Sequence, residues 1–314
     1  MDEARGHIPV MLEETMEALS VKPGGRYVDG TLGRAGHAEA ILERGGSVLG
    51  IDRDDEALAE VAARKAAEPE RFANLTIARG DHGDMARLAM ERGWDRVDGI
   101  LLDLGVSSPQ LDEAGRGFSF VREGPLDMRM DRSRSLTAAD LVNNESAESL
   151  AEVFRSLGEE PFARRIAREI ERERAKRPIE TTTQLAEIVE RTVGRHGGKN
   201  PATRVFQALR MAVNDEMGEL ERALDGGARM LSRGGRFAVI AFESLTDRAV
   251  KRFFAEHVGR MESLQQGGER WRGARPRARA VTRGAVSAGE REISENPRSR
   301  SARLRAVEIE EEAI

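Results

Sequence analysis

The stretch YVDGTLGRAGHAEAILERGGSVLGIDRD, residues 27–54, holds a strand, a glycine-bearing loop, a helix and a second strand in close succession. Residues 26–29 and SVLGID (47–52) are short apolar runs, the pattern of buried strands, and 37–44 reads as the helix between them. A loop that leaves the carboxyl end of a strand and opens a helix turns backbone N–H groups toward a ligand, and glycine lets that ligand approach the backbone. A dinucleotide fingerprint would space the glycines G-x-G-x-x-G. Here the order is Asp29-Gly30-Thr31-Leu32-Gly33-Arg34-Ala35-Gly36-His37, and the first pair stands too far apart. An acidic residue leading into a loose glycine loop is instead the pattern of enzymes that use S-adenosylmethionine, which has no pyrophosphate to cradle. Asp52 ends the second strand, 22 residues past Gly30, where a carboxylate can accept from both hydroxyls of a ribose. Its other use, as cap of a helix over 55–68, is already filled by Asp54 and Asp55.

The same alternation runs outward from this unit. Residues 11–20 have helical periodicity and stop at Pro23-Gly24-Gly25; NLTIARG (74–80) is a strand, GDMARLAMERG (83–93) a helix and VDGILLDLG (97–105) a fourth strand. Near-continuous apolar strands alternating with helices imply a parallel sheet covered on both faces. From 132 to 200 no strand is legible. TAADLVNN, SAESLAEVFRSLG, EPFARRIAREIERERAKR and TTTQLAEIVERTVG read as four helices, several opening on Ser or Thr caps. A long helix over 202–231, a strand GGRFAVIAF (234–242) and last strands in RAVTRG and SARLRAVEI resume the pattern, while the Arg/Gly/Ala-rich stretch 267–289 reads as a loop. The expected architecture is a doubly wound, mostly parallel α/β fold interrupted by an all-helical insertion: 1–131, 132–200 and 201–314.

With 314 residues, 33% of them charged, the chain has the composition of a soluble globular protein. No apolar run approaches the ~20 residues that span a bilayer, and MDEARGHIPV lacks a basic-then-apolar leader; a cytoplasmic enzyme with no membrane partner is the expectation. The absence of cysteine excludes disulfides, thiolate metal sites and cysteine nucleophiles together. It also closes the cysteine-adduct route to carbon-5 of pyrimidines and the iron–sulfur radical route. The net charge of −5 hides local asymmetry: residues 272–305 hold ten arginines against three glutamates, and ARRIAREIERERAKR (163–177) seven basic residues against three acidic. Each run reads either as a solvated face or as a phosphate-binding one, and arginine used almost without lysine favours phosphate for the first.

Further candidates lie beside the expected ligand. His37, first in its helix, either bonds the methionine part of a cofactor or serves as a structural imidazole; the other histidines (His7, His82, His196, His257) are too scattered for a metal cluster. Asp103 ends the fourth strand, beyond whose carboxyl end ligands sit in such sheets. Ser107, Ser108 and Pro109 follow where amino-methylating enzymes carry a short polar-proline segment. The exocyclic amine of a base has its lone pair delocalised into the ring, so acceptors that turn the nitrogen, together with desolvation, matter more than a strong base. Phe118 and Phe120 fall in RGFSFVREGPLDMRMD (116–131), either to stack a splayed base or to pin the loop onto the core; Asp127, Arg129 and Asp131 there read as a carboxylate–arginine network.

The blocks GHIPVMLEE, DGTLGRAGHAEAIL, GIDRD, DGILLDLGVSSPQLDEAGRGFSFVREGPLDMRMD, PATRVFQALRMAVNDEM, GGRFAVIAFESLTDRAVKRFF and ENPRSRSARLR, from His7 to about Arg305, resemble the bacterial 16S rRNA cytosine-N4 methyltransferase (MraW) family. That resemblance implies a Rossmann-like S-adenosylmethionine-dependent methyltransferase fold with an inserted helical substrate-recognition domain. It implies methylation of a cytidine N4 amine in the P-site decoding region of 16S rRNA, with the small ribosomal subunit as partner. It places cofactor contacts at Ala35, Gly36, His37, Asp52, His82, Asp103 and Gln110. The chain departs from the family pattern at Ala35, usually glycine, at His82, commonly Phe or Asn, and at Glu243, usually His. No general base is assigned, and the oligomeric state, a homodimer included, stays open. Two rivals are a dinucleotide-dependent oxidoreductase, which the loop spacing and the single tyrosine disfavour, and a non-catalytic RNA-binding assembly factor, which the intact Asp52, Asp103 and Ser107-Ser108-Pro109 set disfavours.

Overall fold

The computed structural model describes residues 9–194, 200–263 and 269–311, apart from the side chains of Ser108 and Glu269; His7 and His196 lie outside the described residues. Its contacts divide the chain into an α/β unit, Met1–Gly105 with Gly218–Ile314, and a helical unit, Val106–Met217, wider at both ends than the 132–200 stretch. The α/β unit opens with α1 (Leu12–Leu19), β1 (Arg26–Asp29), α2 (Gly36–Glu43), β2 (Ser47–Asp52), α3 (Asp55–Ala67), β3 (Leu75–Arg79), α4 (Met85–Met90) and β4 (Val97–Asp103). The helical unit carries α5 (Ser108–Asp112), α6 (Ala138–Asn144), α7 (Ala147–Ser156), α8 (Ala163–Arg174), α9 (Thr182–Val193) and α10 (Ala202–Val213). Helix α11 (Glu216–Met230) leads back to β5 (Leu231–Ala241), α12 (Ser244–Val258), β6 (Arg260–Ser263), β7 (Glu269–Arg272), β8 (Ala278–Ala280), β9 (Val286–Ser287), α13 (Glu290–Glu295) and β10 (Arg303–Ile309).

The main sheet runs β3-β2-β1-β4-β5-β10-β8, with β9 also paired to β10. Strands β3, β2, β1, β4 and β5 are parallel, and β10 is antiparallel to β5. Strand order reverses between β1 and β4, and the carboxyl ends there form the crevice in which doubly wound sheets hold ligands. The central strands are apolar along their length because both faces are covered: Val28, Leu49, Ile51, Ile100, Leu102 and Val239 are fully buried. The fold is therefore the Rossmann-like one expected, with a separate helical unit.

Two local expectations are corrected. The single helix expected over 202–231 is two, α10 and α11, because Asp215 adopts a left-handed φ of 48°. Beside it the Asn214 side chain accepts from Met130 N and donates to the Met128 carbonyl, both at 2.8 Å, so the break docks residues 128–130 within the helical unit. Secondly, the stretch read as a loop over 267–289 contains β7, paired antiparallel with β6, and the short β9, while the strand expected in RAVTRG is the short β8 at its start.

In the helical unit α7, α8, α9 and α10 close over Phe154, Ile166, Ile170, Leu185, Val189 and Leu209, all fully buried. Thr137, Ser146 and Thr181 cap α6, α7 and α9 as their sequence positions require. Phe118 is buried in this core and Phe120 meets Phe206 edge-on at 4.8 Å, so both pin the 116–131 segment to it. Arg129 binds Asp127 through two bonds of 2.8 and 2.7 Å, the carboxylate–arginine arrangement expected there.

Candidate functional site

Within the α/β unit, the crevice between β1 and β4 is assembled from the loop 30–36. Gly30 N–H donates to the Leu101 carbonyl (2.9 Å) and Leu32 N–H to Ile51 (2.9 Å), which lashes the loop to β4 and β2. Asp29, buried at the end of β1, accepts from Thr31 N (3.1 Å), and the Thr31 hydroxyl accepts in turn from the backbone N–H of Asp103 (2.7 Å). Thr31 thus joins the ends of β1 and β4, a role the sequence did not announce.

Asp52, at the tip of β2, uses both carboxyl oxygens on backbone amides: Gly33 N donates to Oδ2 (2.8 Å) and Asp54 N to Oδ1 (2.9 Å). Asp54 caps α3 through Glu56 N, so Asp52 is spared that duty. Burial raises the Asp52 pKa, opposed by those two amide bonds. Gly33 has φ of +49°, and a Cβ placed on it would meet nothing nearer than 3.9 Å, so the loop is open on that side.

Ala35 is the left-handed N-cap of α2, with φ 65° and ψ 20°. That conformation favours glycine, so the alanine carries backbone strain there. At Gly36 a Cβ would come within 2.3 Å of the Pro9 ring, so the missing side chain makes room for the protein's own N-terminal segment. His37 is buried; its Nε2 lies 3.0 Å from the Val10 carbonyl, which can only accept, so Nε2 carries the proton. Its Nδ1 then faces Asp103 Oδ2 at 3.8 Å, too far for a hydrogen bond.

Asp103 is a strongly perturbed carboxyl of the crevice. Its Oδ1 is buried with no hydrogen-bond partner among the described residues. Burial first, then the charges of Asp29 and Glu292, push its pKa up to about 8. Asp29 is raised to about 7, chiefly by burial, against its Thr31 bond. On the other side of Gly30, the buried His82 also leaves Nε2 without a partner. Burial, and then the cations Arg53 and Arg222, drive its pKa down to about 3 and keep the ring neutral. Arg53 is itself nearly buried and pairs with Asp81 at 3.1 Å.

Of the residues read from sequence, Ala35, Gly36, His37, Asp52, His82 and Asp103 gather in this one crevice. Ser107, Ser108, Pro109 and Gln110 belong to the helical unit, where Ser107 and Gln110 form the capping box of α5: Gln110 N donates to Ser107 Oγ (3.4 Å) and Ser107 N to Gln110 Oε1 (3.0 Å). Thr31, Arg53 and Glu292 were missed; an Asp-x-Thr at the end of a strand is a faint signal for the first, and the last two have none.

The arginines of 272–305 are mostly committed to acids. Arg279 reaches Glu308 at 2.8 Å, Arg277 reaches Glu310 at 2.9 Å, Arg272 reaches Glu262 at 3.2 Å and Arg305 grips Asp247 at 2.7 and 2.9 Å, while Arg275 pairs with Glu311. Arg283 and Arg300 make no ion pair among the described residues, which narrows the phosphate-binding expectation to a few positions.

A model of the MraW methylase family matches residues 4–310. The chain is 49% identical over 307 residues to a ribosomal RNA small subunit methyltransferase H of Symbiobacterium thermophilum, covering 96% of each. It is 50% identical over 303 residues to the corresponding protein of Methylococcus capsulatus, covering 95% of this chain and 99% of that one. Matching along nearly its whole length, the chain belongs to the MraW methylase family.

Proposed function

We propose that the chain transfers the methyl group of S-adenosylmethionine to the exocyclic N4 amine of a cytidine in the P-site decoding region of 16S rRNA. Membership in a methylase family, and relatives named as small-subunit ribosomal RNA methyltransferases, support the reaction class and the polymer. The observation that carries the donor is the pair of buried, unbonded atoms that flank Gly30-Thr31: Asp103 Oδ1 and His82 Nε2. A buried polar atom without a partner costs stability, and a ligand that satisfies it recovers that cost.

The two atoms differ in the way the donor does. The neutral His82 ring suits an uncharged adenine, while Asp103 suits the cationic ammonium and sulfonium end. Asp52, whose oxygens each keep a lone pair beyond the Gly33 and Asp54 bonds, suits the ribose diol between them. Ala35, Gly36 and His37 would meet the cofactor through the backbone at the start of α2. When bound, the cofactor supplies an already activated methyl, so the chain need only position the nucleophile, exclude water and accept a proton. The ionised form of Asp103 would pair with the cationic end of the cofactor. For the acceptor the support is the sequence: Ser107-Ser108-Pro109 as the amine-binding segment and the helical unit as the RNA reader, while the resemblance gives Gln110 to the cofactor. A ribosomal substrate would place the enzyme in the cytoplasm, and no helix among the described residues is long and apolar enough to cross a membrane.

The test is to incubate small subunits lacking the modification with the protein and methyl-labelled S-adenosylmethionine, then digest the decoding region for mass spectrometry. One N4-methylcytidine is expected. No label beside an active control overturns the enzyme, and label on carbon-5 or ribose overturns the N4 assignment.

A further inference from the structure

Three contacts hold the segment Pro9–Met11 across the start of α2. The Pro9 ring sits in the space a Cβ on Gly36 would fill. The Val10 carbonyl accepts from His37 Nε2 at 3.0 Å. Met11, bent to a left-handed φ of 52°, donates its N–H to Glu292 Oε1 at 2.8 Å. Glu292 lies on α13, a six-residue helix with no buried residue, 281 positions away along the chain. A short helix with so little packing of its own is an unusual place to anchor a strained segment. What the anchor secures is the tautomer and placement of His37, whose Nδ1 faces Asp103, together with the first turn of the helix after the glycine loop.

We propose that Glu292 is a positioning residue for the cofactor: by holding Met11 it keeps Pro9–Met11 strapped over Gly36 and His37, and the strap fixes the α2 N-terminus in its ligand-binding geometry. This rests on the reading that the loop 30–36 holds S-adenosylmethionine. Without the strap, His37 loses its Val10 acceptor and its ring can turn, and the first turn of α2 loses the proline packed against Gly36. Glu292 also adds its charge to the field at Asp103, an effect that the alanine and glutamine variants remove alike, so a loss confined to the alanine variant travels through residues 9–11.

The experiment uses the full chain and S-adenosylhomocysteine as calorimetric probe, with Glu292→Ala, Glu292→Gln and Pro9→Ala. Removing a charged acceptor from a part-buried amide weakens such a contact by about tenfold or more. Glu292→Ala and Pro9→Ala should therefore raise the Kd about tenfold. Glu292→Gln, whose amide oxygen still accepts from Met11, should stay within about threefold of the original. In steady state the KM for S-adenosylmethionine should rise while kcat at saturating cofactor is kept, a split that a general loss of folding would not produce. If Glu292→Ala does not fold, Pro9→Ala carries the test. Normal binding by the unmodified chain with unchanged Kd in the alanine variants overturns the strap alone, whereas no binding by the unmodified chain overturns the cofactor reading and the strap with it.

Discussion

The α/β unit buries acidic residues in two ways. On the side of β10, each acid has its cations: Arg305 grips Asp247 at 2.7 and 2.9 Å, and Glu308 receives Arg236 at 3.0 Å and Arg279 at 2.8 Å. Burial pushes Glu308 up, but the two arginines more than offset it, and its pKa is lowered. At the crevice, Asp29 and Asp103 have no Lys or Arg partner among the described residues, and both are raised, to about 7 and about 8. The paired acids staple β10 to its neighbours. The acids without a cation cost stability in the protein alone, and under the proposed function Asp103 would recover that cost on meeting the cationic end of the cofactor.

The sharpest way to break that contrast is Asp103→Asn. The carboxylate's charge-assisted bond to the cofactor would be lost, so binding of S-adenosylmethionine should weaken by roughly 10- to 100-fold. Stability should move the other way. An acid whose folded pKa lies above its unfolded value holds more protons folded than unfolded, so stability falls as pH rises between about 4 and about 8. The variant has no such loss, and its Tm advantage should grow from pH 5.5 to pH 8.5. A constant difference across that range would mean that Asp103 ionises normally. His82 works oppositely, since a folded pKa near 3 makes stability fall as pH drops from about 6.5, and a variant at Asp103 leaves that limb in place.

The other half of the comparison predicts a smaller effect. Arg279 is spent on Glu308, while Arg283 and Arg300 have no acidic partner among the described residues. Reversing the last two to Glu should weaken RNA capture by about tenfold and flatten its salt dependence by one to two contacts, because each phosphate contact releases about one counterion. Arg279→Ala should barely change RNA affinity and cost at most about 1 kcal/mol, as exposed ion pairs do. Equal losses in the two experiments would erase the distinction between committed and uncommitted arginines.

How much of this was legible in the sequence follows from the range of the interactions. The glycine loop, Asp52 and Asp103 could be read because strand and helix periodicity fixes where a strand ends, and a ligand crevice follows from the strand ends. The break between α10 and α11 was hidden because Asn214 is shaped by contacts to residues 128 and 130, far from it in sequence. The packing of Pro9 against Gly36 was hidden because nothing in the sequence joins the two, and Glu292 left no local trace because its partner lies 281 residues away. The ion pairs of the arginine run were hidden in the same way: charge counted along the chain does not reveal acids that fold back onto it.

The smallest effect belongs to Ala35, and its size is itself informative. Its backbone sits at φ 65°, and its methyl is fully buried. A left-handed alanine costs about 1–2 kcal/mol. Replacing it by glycine removes that strain but adds about 0.4–1 kcal/mol of unfolded-chain entropy and forfeits about 0.8 kcal/mol of methyl burial. The terms nearly cancel, so Ala35→Gly should shift Tm by no more than a few degrees in either direction. Cofactor affinity should stay within about twofold, since residue 35 would meet the cofactor through backbone atoms that glycine also has. A change beyond tenfold, measured by calorimetry, would show that the methyl group shapes the loop and that the departure from glycine at this position is functional.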